Sequence, residues 1–147
     1  GSDNNIGIKL SPSNTFYGMY DSNPREIFGY VIEALNRFNL AYIHLMEPNE
    51  MDLANRQVIN PVLPIFRPFY QGTIITNGNY DKHNGNRVLE ESSAELVSFG
   101  KLFLANPDLP KRFAIDADLN LPDPATFYGK GDRDLEKGYT DYHFLAA

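Results

Sequence analysis

Two short segments hold the residues best suited to chemistry. In "TNGNYD" (residues 76–81) and "FGKLF" (residues 99–103) a glycine and a polar or cationic residue directly follow an apolar run. A backbone N–H without a neighbouring Cβ can approach an anion closely, and successive N–H groups in a turn form an anion-binding concavity. Gly78 and Gly100 supply such positions, and Asn79 adds a donor. Lys101 opens an apolar helical run, where its charge joins the positive end of the helix dipole. This pattern points to a phosphate. A competing local reading exists, because Asn77-Gly78 after "TIIT" is a strong hairpin signal. In that reading both glycines only turn the chain, and Lys101 is solvated.

Lys9 stands inside the apolar stretch "IGIKLSP". A buried ammonium is costly unless paired, so either a group at the strand end wants a cation or the side chain snorkels to water. Glu47, closing "HLMEP", has the same two readings, whereas His44 inside that strand reads as a satisfied core histidine. Phe127 and Tyr128 in "TFYG" either pin a loop or wall a flat cofactor. The three histidines have no metal-ligand spacing and there are no cysteines. No metal site, disulfide or thiol nucleophile is therefore expected.

Composition narrows the partners. The 147 residues carry a formal charge of −6, with no basic stripe to displace counterions, so nucleic acid is not expected. No apolar run nears the roughly 20 residues of a membrane span, and no signal peptide opens the chain, so a cytoplasmic protein is expected. Gly1-Ser2 reads as a tag scar, and residues 1–5 are set aside as scar and leader.

The elements that must position these residues alternate. Strands are predicted at Ile6–Leu10, Ala41–Pro48, in "GTIIT" (72–76) and at Glu95–Gly100, with the apolar content of strands buried on both faces. Asn23, Pro24 and Glu26 predict a helix start. Ile27, Tyr30, Val31, Ala34, Leu35 and Phe38 supply its apolar stripe, and Asn39 its stop. "QVINPVLPIFRPFY" is a weaker helix broken by prolines, with Pro61 or Pro64 in a first turn. "GNRVLEESSAE" is a short helix, and "KLFLANPDLPKRFAI" a pair split at Pro107 and Pro110. Residues 6–120 thus read as four βα units, and 121–147 as an irregular tail packing on the barrel. Four units make half of a TIM-type barrel, whose full form takes about 250 residues. An open flavodoxin-like sheet is the competing fold, but its phosphate loop normally follows the first strand. In barrels the loops after strands seven and eight often hold a phosphate. If these strands are five to eight of a barrel, Gly78-Asn79 and Gly100-Lys101 fall where that site belongs.

Six blocks resemble the Old Yellow Enzyme family of FMN-dependent ene-reductases, in that family's order and spacing. They are "GIKLSPSNTFYGM", "YIHLMEP", "IITNGNYD", "VSFGKLFLANPDLPKRF", "NLPDPATFYG" and "KGYTDYHFL". The resemblance covers nearly the whole chain after residue 5, but only the family's C-terminal half, strands five to eight. It implies FMN as cofactor and specific roles. Lys9 matches a basic residue at the flavin N1/C2-carbonyl edge, and Gly78 and Asn79 match the first phosphate loop. Gly100 and Lys101 match the second; lysine there keeps the charge of the family's frequent arginine but not its bidentate fork. Phe127 and Tyr128 match the aromatic pair near the dimethylbenzene edge. The family's substrate-binding His/Asn or His/His pair and its proton-donating tyrosine lie upstream. No catalytic residue is therefore assigned in this chain, and none of its histidines stands in a matching motif.

Two functions follow from different classes. The chain is the C-terminal half of an NAD(P)H-dependent ene-reductase that works when the N-terminal half is present. Alternatively, it is an isolated half-barrel module that binds FMN or phosphate weakly or not at all, without catalysis. In either case a cut barrel exposes strand edges and an inner face, so a partner is expected: the missing half or a second copy.

Overall fold

The computed structural model describes residues 5–54, 58–128 and 134–146. Most of the expected leader (1–4) and Gly129 of "TFYG" lie outside them. The backbone divides into two compact units, residues 1–98 and 99–147.

The first unit is a parallel sheet of β1 (Gly7–Leu10), β2 (Tyr42–Met46), β3 (Ile74–Asn77) and β4 (Leu96–Ser98). The strands lie side by side in chain order. Sequential order is how a barrel adds strands, whereas a flavodoxin-like sheet places its first strand inside the order. The half-barrel reading holds, and the flavodoxin alternative does not. The hairpin reading of Asn77-Gly78 fails too. β3 pairs in parallel with β2 on one side and with β4 on the other, leaving no antiparallel return.

Helices fill the connections. In α1 (Pro24–Leu35) Asn23 caps the first turn, accepting from the Glu26 N–H, and its Nδ2 donates to the Glu26 carboxylate at 2.6 Å. The helix ends at Leu35 rather than near Asn39. Asn36 takes over the end, its Nδ2 donating to the carbonyls of Glu33 and Phe69. Leu35 of the expected stripe packs on the core, but the rest of the buried face is Phe28, Gly29 and Ile32, while Tyr30 is 70% exposed. A short α2 (Glu50–Leu53), absent from the sequence reading, starts from a reciprocal Asn49/Asp52 capping box. The proline-broken segment forms the short α3 (Leu63–Phe66), with Pro64 in its first turn, followed by a 3-10 turn at Arg67–Phe69. α4 (Lys82–Glu90) begins three residues earlier than "GNRVLEESSAE", because Asp81 and Asn84 form a capping box.

Strand alternation gives the sheet two unlike faces. Ile43, Leu45 and Ile74 are fully buried against Ile32, Val62, Leu63 and Phe66. Burial of each such side chain contributes about 1.5–3 kcal/mol. The opposite face would be the barrel interior. It carries Gly7, Lys9, Tyr42, His44, Met46, Ile75, Asn77, Leu96 and Ser98. Burial on both faces was expected, yet here Tyr42 is 36% and Leu96 52% exposed. A sheet closed on one side only has no second layer to cover them.

The second unit holds α5 (Lys101–Ala105), α6 (Leu109–Ala114) and irregular chain; the helix pair divides around Pro107 as expected, but Pro110 stands in the first turn of α6 instead of at the break. The end of the chain is tied down by polar bonds. Buried Arg112 donates to the Asp108 carboxylate at 2.6 Å and to the carbonyls of Asp118 and His143. Asp108 also accepts from the Leu145 N–H at 2.8 Å. That N–H, then the Arg112 guanidinium, hold the Asp108 carboxyl below its usual range.

Candidate functional site

Lys9 projects from the inner face of β1, exposed, with His44 as its direct partner on β2. This fits the snorkelling reading: the side chain is exposed, on the face that a barrel would enclose. Beside it a polar chain crosses the sheet. Asn77 Nδ2 donates to the Ser98 carbonyl at 2.9 Å and lies 3.0 Å from Ser98 Oγ, which is 3.0 Å from His44 Nε2. Burial, then the nearby Lys9 charge, push the His44 pKa below its usual value. His44 is thus bound to a neighbour, but through a hydroxyl on the inner face rather than in the core.

The loop after β3 places Gly78 at φ 114°, where a Cβ would come within 3.0 Å of the Glu47 Cβ and carbonyl oxygen. Glycine is required there by backbone conformation and by packing on Glu47. Asn79, also left-handed at φ 54°, uses its side chain against the Pro48 carbonyl at 3.3 Å. Its amide is therefore partly engaged. The N–H groups of Gly78 and Asn79 meet no acceptor among the described residues, so the loop's free donors are backbone rather than side chain.

The carboxylates of the neighbouring loop hold structure. Glu47, ambiguous in sequence, accepts from the Val62 and Leu63 N–H groups at 2.6 and 2.7 Å, and so fastens the start of α3 to the end of β2. Asp52 is 1% exposed and was missed in the sequence. It accepts from Asn14 Nδ2, from the Thr15 N–H and hydroxyl, and from the Asn49 N–H. Burial alone would raise its pKa, but the Asn49 and Thr15 bonds, with the Asn14 amide, outweigh it and the carboxyl titrates low. The signal was present as the "NEMD" capping-box spacing of residues 49–52.

In the second unit Gly100 is the N-cap of α5, and no side chain caps that helix. The direction a Gly100 Cβ would take is open, with nothing within 4 Å. Lys101 follows it and is exposed. Phe127 and Tyr128 form an edge-to-face pair with ring centroids 6.4 Å apart. The Tyr128 ring is exposed, and its N–H donates to the Tyr139 hydroxyl at 2.8 Å.

Each unit, taken by itself, offers groups that suit FMN. The first has loop N–H groups with no acceptor among the described residues and an exposed lysine on the inner face. The second has an open glycine at an uncapped helix start, an exposed lysine and an aromatic pair. Among the described residues no cluster of three His, Cys, Asp or Glu could hold a metal. Among them, too, no helix is long and apolar enough to cross a membrane.

Comparison with known proteins bears on the fold and the family. The chain is 43% identical over 141 residues to 12-oxophytodienoate reductase 1 of Oryza sativa subsp. japonica, an alignment covering 95% of this chain and 36% of that protein. The solved old yellow enzyme from Trypanosoma cruzi superposes with a TM-score of 0.84 at 33% identity, over 95% of this chain and 35% of that one. Morphinone reductase superposes with a TM-score of 0.79 at 38% identity, over 95% and 36%. The chain therefore spans about a third of the length of these relatives, and its four strands match part of their barrel. The sequence pattern of one flavoprotein family covers residues 1–120, and the chain belongs to that family, NADH:flavin oxidoreductase / NADH oxidase, whose members bind FMN.

Proposed function

We propose that this chain is the C-terminal part of an FMN-dependent ene-reductase. Its residues bind the FMN phosphate and the flavin edges, and they support reduction of activated alkenes when the N-terminal half of the barrel is present. The chemistry FMN supplies when bound is hydride transfer from NAD(P)H to the alkene. Lys9 stabilises negative charge at the N1/C2-carbonyl edge. Gly78 and Asn79 of the first unit, and Gly100 and Lys101 of the second, are each proposed as phosphate-binding groups, and Phe127 and Tyr128 as groups at the dimethylbenzene edge. Substrate polarisation and protonation belong to the N-terminal half, which also covers Tyr42 and Leu96. A second copy of this chain is the other partner that could cover them, and the protein works in the cytoplasm.

The observation that carries this reading is Lys9: a lone charged residue on the inner face of a parallel sheet, in a chain of this family. An ammonium there would be costly in a filled barrel core, and it is useful beneath an anionic ring. The relatives' names support a reductase, since they specify 12-oxophytodienoate and morphinone reductases.

The test combines cofactor retention with turnover. The purified protein is loaded with FMN, desalted and read by its flavin absorbance, then given NADPH and an enone with the N-terminal half supplied. Retained flavin and turnover are expected. A protein that stays colourless with added FMN sinks the proposal, and flavin without turnover leaves a binding module only. Lys101→Ala is expected to weaken FMN retention by roughly tenfold, as the loss of one charge-assisted phosphate contact would. Unchanged retention removes Lys101 from the phosphate site.

A further inference from the structure

His44 lies mid-strand on the inner face, directly opposite Lys9 in the β1–β2 register. Asn77 and Ser98 pair one layer nearer the strand ends. Their hydrogen bonds fix where protons sit. The Ser98 carbonyl only accepts, so the Asn77 amide must present Nδ2 to it, and the same Nδ2 donates to Ser98 Oγ. Ser98 Oγ thus already accepts one bond, and among the described residues its own proton has only His44 Nε2 to meet, at 3.0 Å. With the hydroxyl donating to Nε2, a neutral imidazole carries its proton on Nδ1. The reverse tautomer would give Oγ two donors and leave its O–H without a partner.

The surroundings favour an uncharged ring. From β1 His44 faces Lys9; from β3, Ile75 and Asn77; from β4, Leu96 and Ser98; along its own strand, Tyr42 and Met46. No described carboxylate lies on this face to pair with an imidazolium. Glu47, the nearest in sequence, is bonded to the start of α3. Burial and the Lys9 charge act in the same direction.

We infer that His44 is a positioning residue for Lys9. The Asn77–Ser98–His44 chain holds the imidazole neutral, as its Nδ1–H form, beside the ammonium. Lys9 then remains the single cation on this face, free to meet an anionic ligand edge. That this edge is the flavin pyrimidine rests on the function proposed above.

The test starts without flavin. Nitrogen-15 NMR of the histidine-labelled protein should show His44 with Nε2 unprotonated and Nδ1 protonated at neutral pH. Ser98→Ala should mix the tautomers and move the His44 titration upward, and Ser98→Thr, which keeps the hydroxyl, should restore the wild-type signature. With FMN bound, the midpoint potential of Ser98→Ala should climb more steeply than that of the wild type as pH falls through the His44 titration. A wild-type His44 protonated at Nε2 overturns the inference, and so does a Ser98→Ala protein with unchanged tautomer and titration, whether or not FMN binds. Should Ser98→Ala fail to fold, the wild-type tautomer alone decides. A protein with the expected signature that takes up no FMN supports the role of His44 and removes only the proposed ligand.

Discussion

The two faces of one four-stranded sheet have been put to different uses. On the face toward the helices, Ile43, Leu45 and Ile74 are fully buried. On the other, the same strands present Lys9, His44, Asn77 and Ser98 among apolar residues that remain partly in water. A side chain on the first face is chosen for volume. One on the second is chosen for what it presents. The period of two in a strand lets both requirements be written into the same residues without conflict.

The largest effect should come from breaking the buried face. Leu45→Ala removes a fully buried side chain and should cost about 2–5 kcal/mol, because the cavity adds to the lost transfer energy. Leu96→Ser on the open face should cost less than about 1 kcal/mol in this chain, since Leu96 is 52% exposed. Urea unfolding midpoints measure both. A Leu96→Ser cost matching that of Leu45→Ala would mean that the inner face is already covered, by a second copy or by another segment. Repeating the Leu96 measurement with the N-terminal half bound should bring the two costs closer together.

The two loop glycines sharpen the comparison at smaller scale. Gly78 has φ 114° and Glu47 against its missing Cβ, whereas Gly100 has neither constraint. Gly78→Ala should therefore cost about 1–3 kcal/mol, the range for a non-glycine held in a sparsely populated backbone region. Gly100→Ala should stay within about 0.5 kcal/mol. If Gly100→Ala leaves the unfolding midpoint in place yet reduces FMN retention, that glycine serves a ligand rather than the fold. Equal destabilisation by both would make them turn glycines of one kind.

The sequence made much of this legible, and for definable reasons. Strand positions followed from short β-rich runs bounded by Pro, Gly and Asn, and the start of α1 from Asn23, Pro24 and Glu26. Those signals are local. The buried side of α1 was misjudged because Ile27 and Val31 lie one residue before Phe28 and Ile32. A helix apolar over so wide an arc offers two stripes, and only the sheet decides between them. Lys9 and Lys101 stood out because a charge inside or beside an apolar run is anomalous by itself. The Asn77–Ser98–His44 chain could not stand out in the same way, because it joins three strands and exists only once their register is set. Gly78 was read as room for a ligand, yet Glu47, thirty-one residues earlier, explains the glycine by contact.

The smallest effect should be the pH response of the inner face, and His44 sets its sign. Its native pKa is lowered by burial and by Lys9, while in the unfolded chain a histidine titrates near 6.5. Between those values the unfolded state binds the proton first, so stability falls as pH drops through that window. The contribution of the neutral ring is fully present above the unfolded value and lost below the native one. The buried face has no titrating group among Ile43, Leu45 and Ile74, so Leu45→Ala should shift the whole stability curve down without changing its slope there. His44→Gln should do the opposite, flattening the slope at mildly acidic pH while leaving the level at pH 8 closer to wild type than Leu45→Ala does. Denaturant midpoints taken from pH 8 to pH 5 separate the two. A His44→Gln protein that kept the full wild-type slope would take the pH response away from His44, and the inner face would then hold only Lys9 as its distinguishing charge.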